Sequence, residues 1–512
     1  MKRFLCLGAV LSACLCWAGC GEIFRPVIIP NPPQFPSPAA VHSILTLSNN
    51  GTPNTGVGVP PETPLDGSMM VIDVSGDSVV SIKPVGLNPV HGVMQSATQA
   101  LVVNQAVTGL PTPASGCIVT IGSQGFNVCP TLTRLVFSGT FINSVTTITL
   151  PTNSAANFVA TTEANQAYVS LPNLFLDPLN HPNNGTVALV DTTTNTIPAE
   201  IMVGNNPTAM AETPDGTKVY IANQGDGTIS AINTKDDSAR QVCVNGTCPV
   251  APDYAPIPLA SPPIWISARS DNQRVYVLES NGTLAYVDTS TTAGPDMLYD
   301  NYAQTVQVAG ATRMWYDVIL NRLYIPGGTG AAIVDVSQSI PQDQVFPGGT
   351  FPVIATVPPS QRFRSDPCSR TDAPSTVSVV AATSLPDGSR SYIGSYYSDG
   401  SGNICPQVTV IDTTNNDIKT AMAVPGFPDA TITSSPYYSP ACVGARFRFN
   451  MAAGGDSSRV YLTSCDGGNV SIIYTSSDSF AESADAPASA RSPIPPSTQA
   501  PPQSPVFAFA GP

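Results

Sequence analysis

The chain has 512 residues, of which 42% are hydrophobic and only 11% charged, with 21 Lys and Arg against 35 Asp and Glu for a formal net charge of −14. An average soluble protein carries about 25% charged residues, so Thr, Ser, Asn, Pro and Gly must supply the polar surface here, a composition that disfavours helices. The acidic balance excludes nucleic acid as a partner, because phosphate binding needs a basic footprint; the charge serves solubility instead.

Residues 1–19 combine a basic start (Lys2, Arg3) with an apolar core over 4–15, and read as a cleaved signal peptide rather than a membrane span. Trp17-Ala18-Gly19 before Cys20 is similar to a bacterial lipobox, which makes Cys20 the expected lipidation site. Leu11-Ser12-Ala13 before Cys14 is the alternative, but it would leave a very short signal. Residues 20–67 read as spacer and leader: 24–40 holds six prolines and predicts extended chain, 42–47 a lone strand, and 49–65 a loop.

From residue 68 to 476 the chain repeats itself. The clearest unit lies at 205–234, where Pro214-Asp215-Gly216 is a turn cluster, Val219-Tyr220-Ile221-Ala222 an apolar strand, Gly225-Asp226-Gly227 a second turn and 228–232 a further strand. One such meander cannot bury both of its faces, so it needs neighbours. Strands equivalent to that of Tyr220 centre on Leu101, Tyr168, Tyr276, Tyr324, Tyr392 and Tyr461, at spacings of 67, 52, 56, 48, 68 and 69 residues. A four-stranded propeller blade takes about 40–50 residues, so the longer spacings hold a blade plus an insertion. The insertions fall at 117–129, 174–184, 243–263, 361–375 and 427–444, between strands, as loops on a binding face do.

Pro214 to Asn223, PDGTKVYIAN, resembles the signature of the YVTN-repeat β-propeller family, with Ile221 and Ala222 as departures. The resemblance implies an all-β fold, a single propeller, and seven anchors imply seven four-stranded blades. Strands at 69–74 and 78–85 read as the end of a blade, those at 446–450, 460–463 and 470–474 as the start of one, and the two halves are expected to close the ring together, leaving one strand over. Residues 477–512, rich in Pro, Ala and Ser, read as a disordered tail in which 506–510 is a short apolar patch, so removal of 483–512 is expected to be tolerated.

Beyond Cys20 there are eight further cysteines, at 117, 129, 243, 248, 368, 405, 442 and 465. In an exported protein these predict disulfides, with about 105 connectivities open. Cys117 and Cys129 lie on the arms of a predicted hairpin, and Cys243 and Cys248 bracket Asn245-Gly246, a tight-turn pair. Cys368 with Cys405 and Cys442 with Cys465 is the sequential choice for the rest. Zinc is disfavoured by the absence of CxxC and by only three histidines. Of these His42 lies in the leader, His181 in an insertion, and His91 begins an inner-type strand, which makes it the one channel candidate. No catalytic residue and no metal ligand is assigned, and there is no GxSxG, HExxH or Walker loop. The recurrent Asp73, Asp191, Asp288, Asp335 and Asp412 each end a strand before a Thr/Ser/Asn turn and read as caps on turn N–H groups.

The expectation is therefore a monomeric, lipid-anchored propeller of the cell envelope, outer membrane included, that binds a protein, peptide or glycan without a cofactor. The alternative, implied by lactonase-like propellers resembling this repeat, is a hydrolase built around a divalent ion such as Ca²⁺ in the channel.

Overall fold

The computed structural model describes residues 43–49, 67–106, 117–121, 124–127, 129–151, 154–161, 165–248, 256–290, 294–300, 307–328, 330–337, 344–352, 376–398, 404–424, 449–465, 469–480 and 505–512. All regular structure among them is strand. The strands form eight antiparallel blades around a common axis, each with a core of four strands. From the axis outwards, blade 1 is Pro505–Ala510, Ser43–Ser48, Ser68–Asp73 and Ser78–Pro84, and blade 2 is Pro89–Ser96, Gln99–Asn104, Thr131–Ser138 and Phe141–Thr149. Blade 3 runs Phe158–Ala160, Gln166–Leu171, Thr186–Asp191, Thr196–Met202; blade 4 runs Pro207–Glu212, Lys218–Asn223, Thr228–Asn233, Ser238–Ala239. Blade 5 is Pro263–Ala268, Arg274–Glu279, Leu284–Asp288 and Asp296–Tyr299; blade 6 is Trp315–Asp317, Arg322–Gly327, Gly330–Asp335 and Gln344–Pro352. Blade 7 comprises Thr376–Ser384, Arg390–Ser398, Ile404–Asp412 and Asp417–Ala423, and blade 8 Phe449–Ala453, Arg459–Ser464, Asn469–Tyr474 and Ser479–Phe480.

Burial follows from this stacking. The second strand of a blade is covered on both faces by neighbouring blades, so KVYIAN and RVYVLE are buried at every position. Fourth strands meet solvent and alternate, as in Thr196–Met202. The hydrophobic core is a set of inter-blade layers: one runs through blades 3, 4 and 5 by way of Val187, Ile221 and Val277. The anchor tyrosines are all buried, and the hydroxyls of Tyr168, Tyr220, Tyr392 and Tyr461 tie one blade to the next. Tyr220 Oη donates to Asp296 Oδ2 of blade 5 (2.6 Å), Tyr392 Oη to Asp478 Oδ1 of blade 8 (2.9 Å), and Tyr461 Oη to Asp77 Oδ1 of blade 1 (2.9 Å). A cation two residues earlier on the same strand reaches the same carboxylate: Lys218 Nζ to Asp296 and Arg390 Nη1 to Asp478 at 2.8 Å, Arg459 Nε to Asp77 at 3.2 Å. Asp77, Asp237 and Asp478 take positive φ in the turn from third to fourth strand, a conformation Asp and Asn accept more readily than most residues. Asp73, Asp191, Asp288, Asp335 and Asp412 accept turn N–H bonds from Ser75, Thr193, Ser290, Ser337 and Thr414 at 2.7–3.0 Å, so they are caps.

Four expectations are corrected. The ring has eight blades, not seven. The strand expected to stand alone, Ser43–Ser48, is the second strand of blade 1, with Leu45 where most blades carry Tyr, so the eighth anchor is missing from the sequence pattern. The apolar patch at the end of the tail is the innermost strand of that blade: Pro505–Ala510 pairs with Ser43–Ser48 in the register Ile44 to Ala510, Leu45 to Phe509 and Leu47 to Phe507. The half-blades at the two ends do not complete each other. Blade 8 acquires its own two-residue fourth strand, Ser479–Phe480, and blade 1 is completed from the C-terminal end of the chain. The signal peptide, Cys14, Cys20, His42 and the spacer lie outside the described residues, as do residues 481–504 of the expected tail.

Candidate functional site: the central channel and the connection face

Because strands alternate in direction, the turns between second and third strands and the links from blade to blade emerge on one face, here termed the connection face. By chain order, all five insertions read from the sequence attach there, as does the segment leading into the closing strand. The chain enters Ser43–Ser48 from the opposite face, where Gly511 N donates to Ser43 O (2.9 Å) and Ser43 Oγ to Pro512 O (3.0 Å).

The channel is lined by the first strands, which touch one another around the axis. His91 is buried there, with its ring stacked on Phe158 of blade 3 (centroids 3.8 Å apart, planes at 20°) and 5.1 Å from Phe507 of the closing strand. Phe158 meets Trp265 of blade 5 edge-on at 5.9 Å, and Val159 N donates to His91 Nδ1 at 3.5 Å. Rings from four blades thus meet inside the channel, and His91 is one of them. The carboxylates of the first strands stand at the far end of theirs: Glu212 is the last residue of its strand, and Asp317 accepts N–H bonds from Ile319 (2.9 Å) and Leu320 (3.0 Å) in the following turn. Arg313, leading into blade 6, donates to Phe449 O of blade 8 at 3.1 Å. Among the described residues no group of three or more His, Cys, Asp or Glu side chains comes together.

Two insertions are described in detail. Cys243 and Cys248 are bonded, with Cα atoms 4.1 Å apart, across Asn245 and Gly246, both at positive φ as the tight turn requires. Val242–Val244 adds to blade 5 as an extra parallel strand beside Asp296–Tyr299. Cys117 and Cys129 are bonded with Cα atoms 5.0 Å apart, enclosing the hairpin Ile118–Ile121 and Gln124–Asn127. Cys465 is also disulfide-bonded; Cys368, Cys442 and the side chain of Cys405 lie outside the described residues. In blade 3 the loop holding His181 carries Phe175, Leu176 and Leu179 exposed, the last at 92%.

A feature missed from sequence stands on the same face at blade 5. Blades 2 and 4 end their second strands in Asn104 and Asn223, whose amides donate to hydroxyls of the third strand, Asn104 to Thr131 Oγ1 (3.0 Å) and Asn223 to Thr228 Oγ1 (3.0 Å). Blade 5 has Glu279 at that place, fully buried, beside Asp300 just past the fourth strand. Burial and the Asp300 carboxylate push Glu279 from an ordinary 4.5 up to about 7. The signal in the sequence was an acid at a position that is Asn in blades 2 and 4 and Ser in blades 1, 7 and 8.

The chain matches no protein family profile, and no curated protein resembles it in sequence. Among solved structures it is similar to AztD of Citrobacter koseri, at 8% identity over 91% of this chain and 97% of that one, with a TM-score of 0.50. It is also similar to a Lactobacillus plantarum protein (12% identity, 80% and 98% covered, TM-score 0.45) and to a Bacteroides uniformis protein provisionally assigned as a 6-phosphogluconolactonase (12%, 75% and 97%, 0.43). At these identities the likeness is one of fold, the β-propeller.

Proposed function

We propose that this chain is an anchored, non-catalytic binding propeller that engages a protein, peptide or glycan through its connection face. The observation that carries the reading is the division of the two faces. All five insertions attach to one, and the chain from the N-terminal spacer enters on the other. An anchor at Cys20 would hold the ring by its far side and turn the insertions away from the membrane, with two or more acyl chains giving stable attachment. The disulfides favour an oxidising, extracytoplasmic compartment. The enclosure of His91 among Phe158 and Phe507 favours packing over channel chemistry.

The test uses the purified chain on arrays of envelope glycans and peptides, beside a lactone-hydrolysis panel with Ca²⁺, Mg²⁺, Mn²⁺ and Zn²⁺. Replacing Phe175, Leu176 and Leu179 together by Ser is expected to abolish array binding while leaving the melting temperature unchanged, with no lactone turned over. Metal-dependent turnover that disappears in His91→Ala would overturn the reading in favour of a channel hydrolase.

A further inference from the structure

The end of blade 5 on the connection face encloses a carboxylate that protein donors do not satisfy. Glu279 is 0% exposed, and neither of its carboxylate oxygens has a hydrogen-bond partner; the same is true of the buried Oδ1 of Asp300. Asp300 Oδ2 accepts Ala260 N at 2.7 Å, which fixes that carboxylate against the link entering the blade. The Thr283 hydroxyl and Ser261 N lie towards Glu279 and favour its charged form, but neither completes a hydrogen bond to it; the hydroxyl donates instead to Asn281 Oδ1 at 2.7 Å. Among the described residues no Lys, Arg or His pairs with either carboxylate.

The enclosure is rigid. Ser280 N donates to Pro262 O (2.7 Å) and Ser261 Oγ meets Ser280 Oγ (2.9 Å), while Val308 N donates to Gly282 O (3.0 Å) and lays the next link over the turn. Gly282 sits at φ +85°, and a Cβ there would lie 2.1 Å from Val308 O, so only glycine admits this cover. Burying the unsatisfied Glu279 carboxylate beside that of Asp300 is costly unless a positive charge or a proton lies between them.

We propose that Glu279 and Asp300 form a binding site for a hard divalent cation of the Ca²⁺ class at the connection-face end of blade 5. The donor set is oxygen throughout, two carboxylates and the Thr283 hydroxyl, with water or main-chain carbonyls completing the six to eight oxygens that Ca²⁺ takes. The site is separate from the channel and implies no catalysis; it would stiffen the face that carries the insertions.

The experiment is a thermal melt of the full chain at pH 7.5, after chelation and dialysis, against CaCl₂ from micromolar to millimolar, paired with isothermal titration of Ca²⁺. Saturating Ca²⁺ is expected to raise the melting temperature by about 2–4 °C. Glu279→Asn, which restores the residue of blades 2 and 4, and Asp300→Asn should each fold and lose both the shift and the titration signal. If one variant fails to fold, the other decides. A wild-type chain silent to Ca²⁺ by both methods, its carboxyls merely sharing a proton, would overturn the proposal, as would an equal shift in wild type and a folded variant.

Discussion

At the residue scale the ring is held by a device the sequence half reveals. The Tyr at six of the seven anchors was legible as packing, because an aromatic among β-branched neighbours belongs in a core. Its partner was not, because Asp296 lies 76 residues from Tyr220 and no local pattern links the two. Lys218, Arg240 and Tyr220 all converge on Asp296, which is fully buried. Removing that charge leaves buried cations uncompensated, so Asp296→Asn is expected to cost about 3–5 kcal/mol, readable as a lowered denaturant midpoint at unchanged slope. A loss under about 1 kcal/mol would show that the cluster is peripheral to stability. Glu279 gives a pH prediction of the opposite kind. Its folded pKa is raised to about 7, so the folded state binds that proton more tightly than the unfolded one. In the chelated protein the stability it contributes is complete below about 4.5 and is lost as pH rises through 7. Melting curves from pH 5 to 8 should therefore decline less steeply in Glu279→Gln than in wild type; parallel curves would contradict the shift.

At the scale of elements, strands were legible where turn chemistry framed them. The Cys243 to Cys248 hairpin is the clearest case, since Asn245-Gly246 dictates positive φ at both turn positions and thereby brings the arms together. Ser43–Ser48 and Pro505–Ala510 were the failures. Each is a short apolar strand whose partner is remote in sequence, and the Pro- and Ala-rich context of 481–504 masked the second. The closing strand is nonetheless specified closely. Ala508 N donates to Asn450 Oδ1 of blade 8 (3.3 Å), and Gly92 of blade 2 leaves room for Phe509. A Cβ at Gly92 would lie 2.7 Å from the Phe509 ring, too close for a rigid aromatic to give way cheaply. Gly92→Ala is expected to destabilise by about 1–3 kcal/mol, and Gly92→Ala with Phe509→Leu to recover part of that. Equal stability of Gly92→Ala and wild type in urea would refute this account of the seam.

At the scale of the molecule, the repeat established a propeller but undercounted it. Anchors count only blades whose second strand carries the motif, and blade 1 is assembled from both chain ends without it. The candidate site was legible in part: the insertions stood out as breaks in spacing, whereas the pairing of Glu279 with Asp300 needed the fold. Closure by residues 505–510 underlies both the blade count and the assignment of faces, and one measurement tests it most directly. A chain ending at residue 504 should melt many degrees below the full chain or aggregate, because blade 1 loses its inner strand and both neighbouring seams open. Adding the peptide PVFAFAGP, residues 505–512, should restore part of the lost melting temperature. A truncated chain that melts with the full one, indifferent to the peptide, would contradict the closed eight-bladed ring.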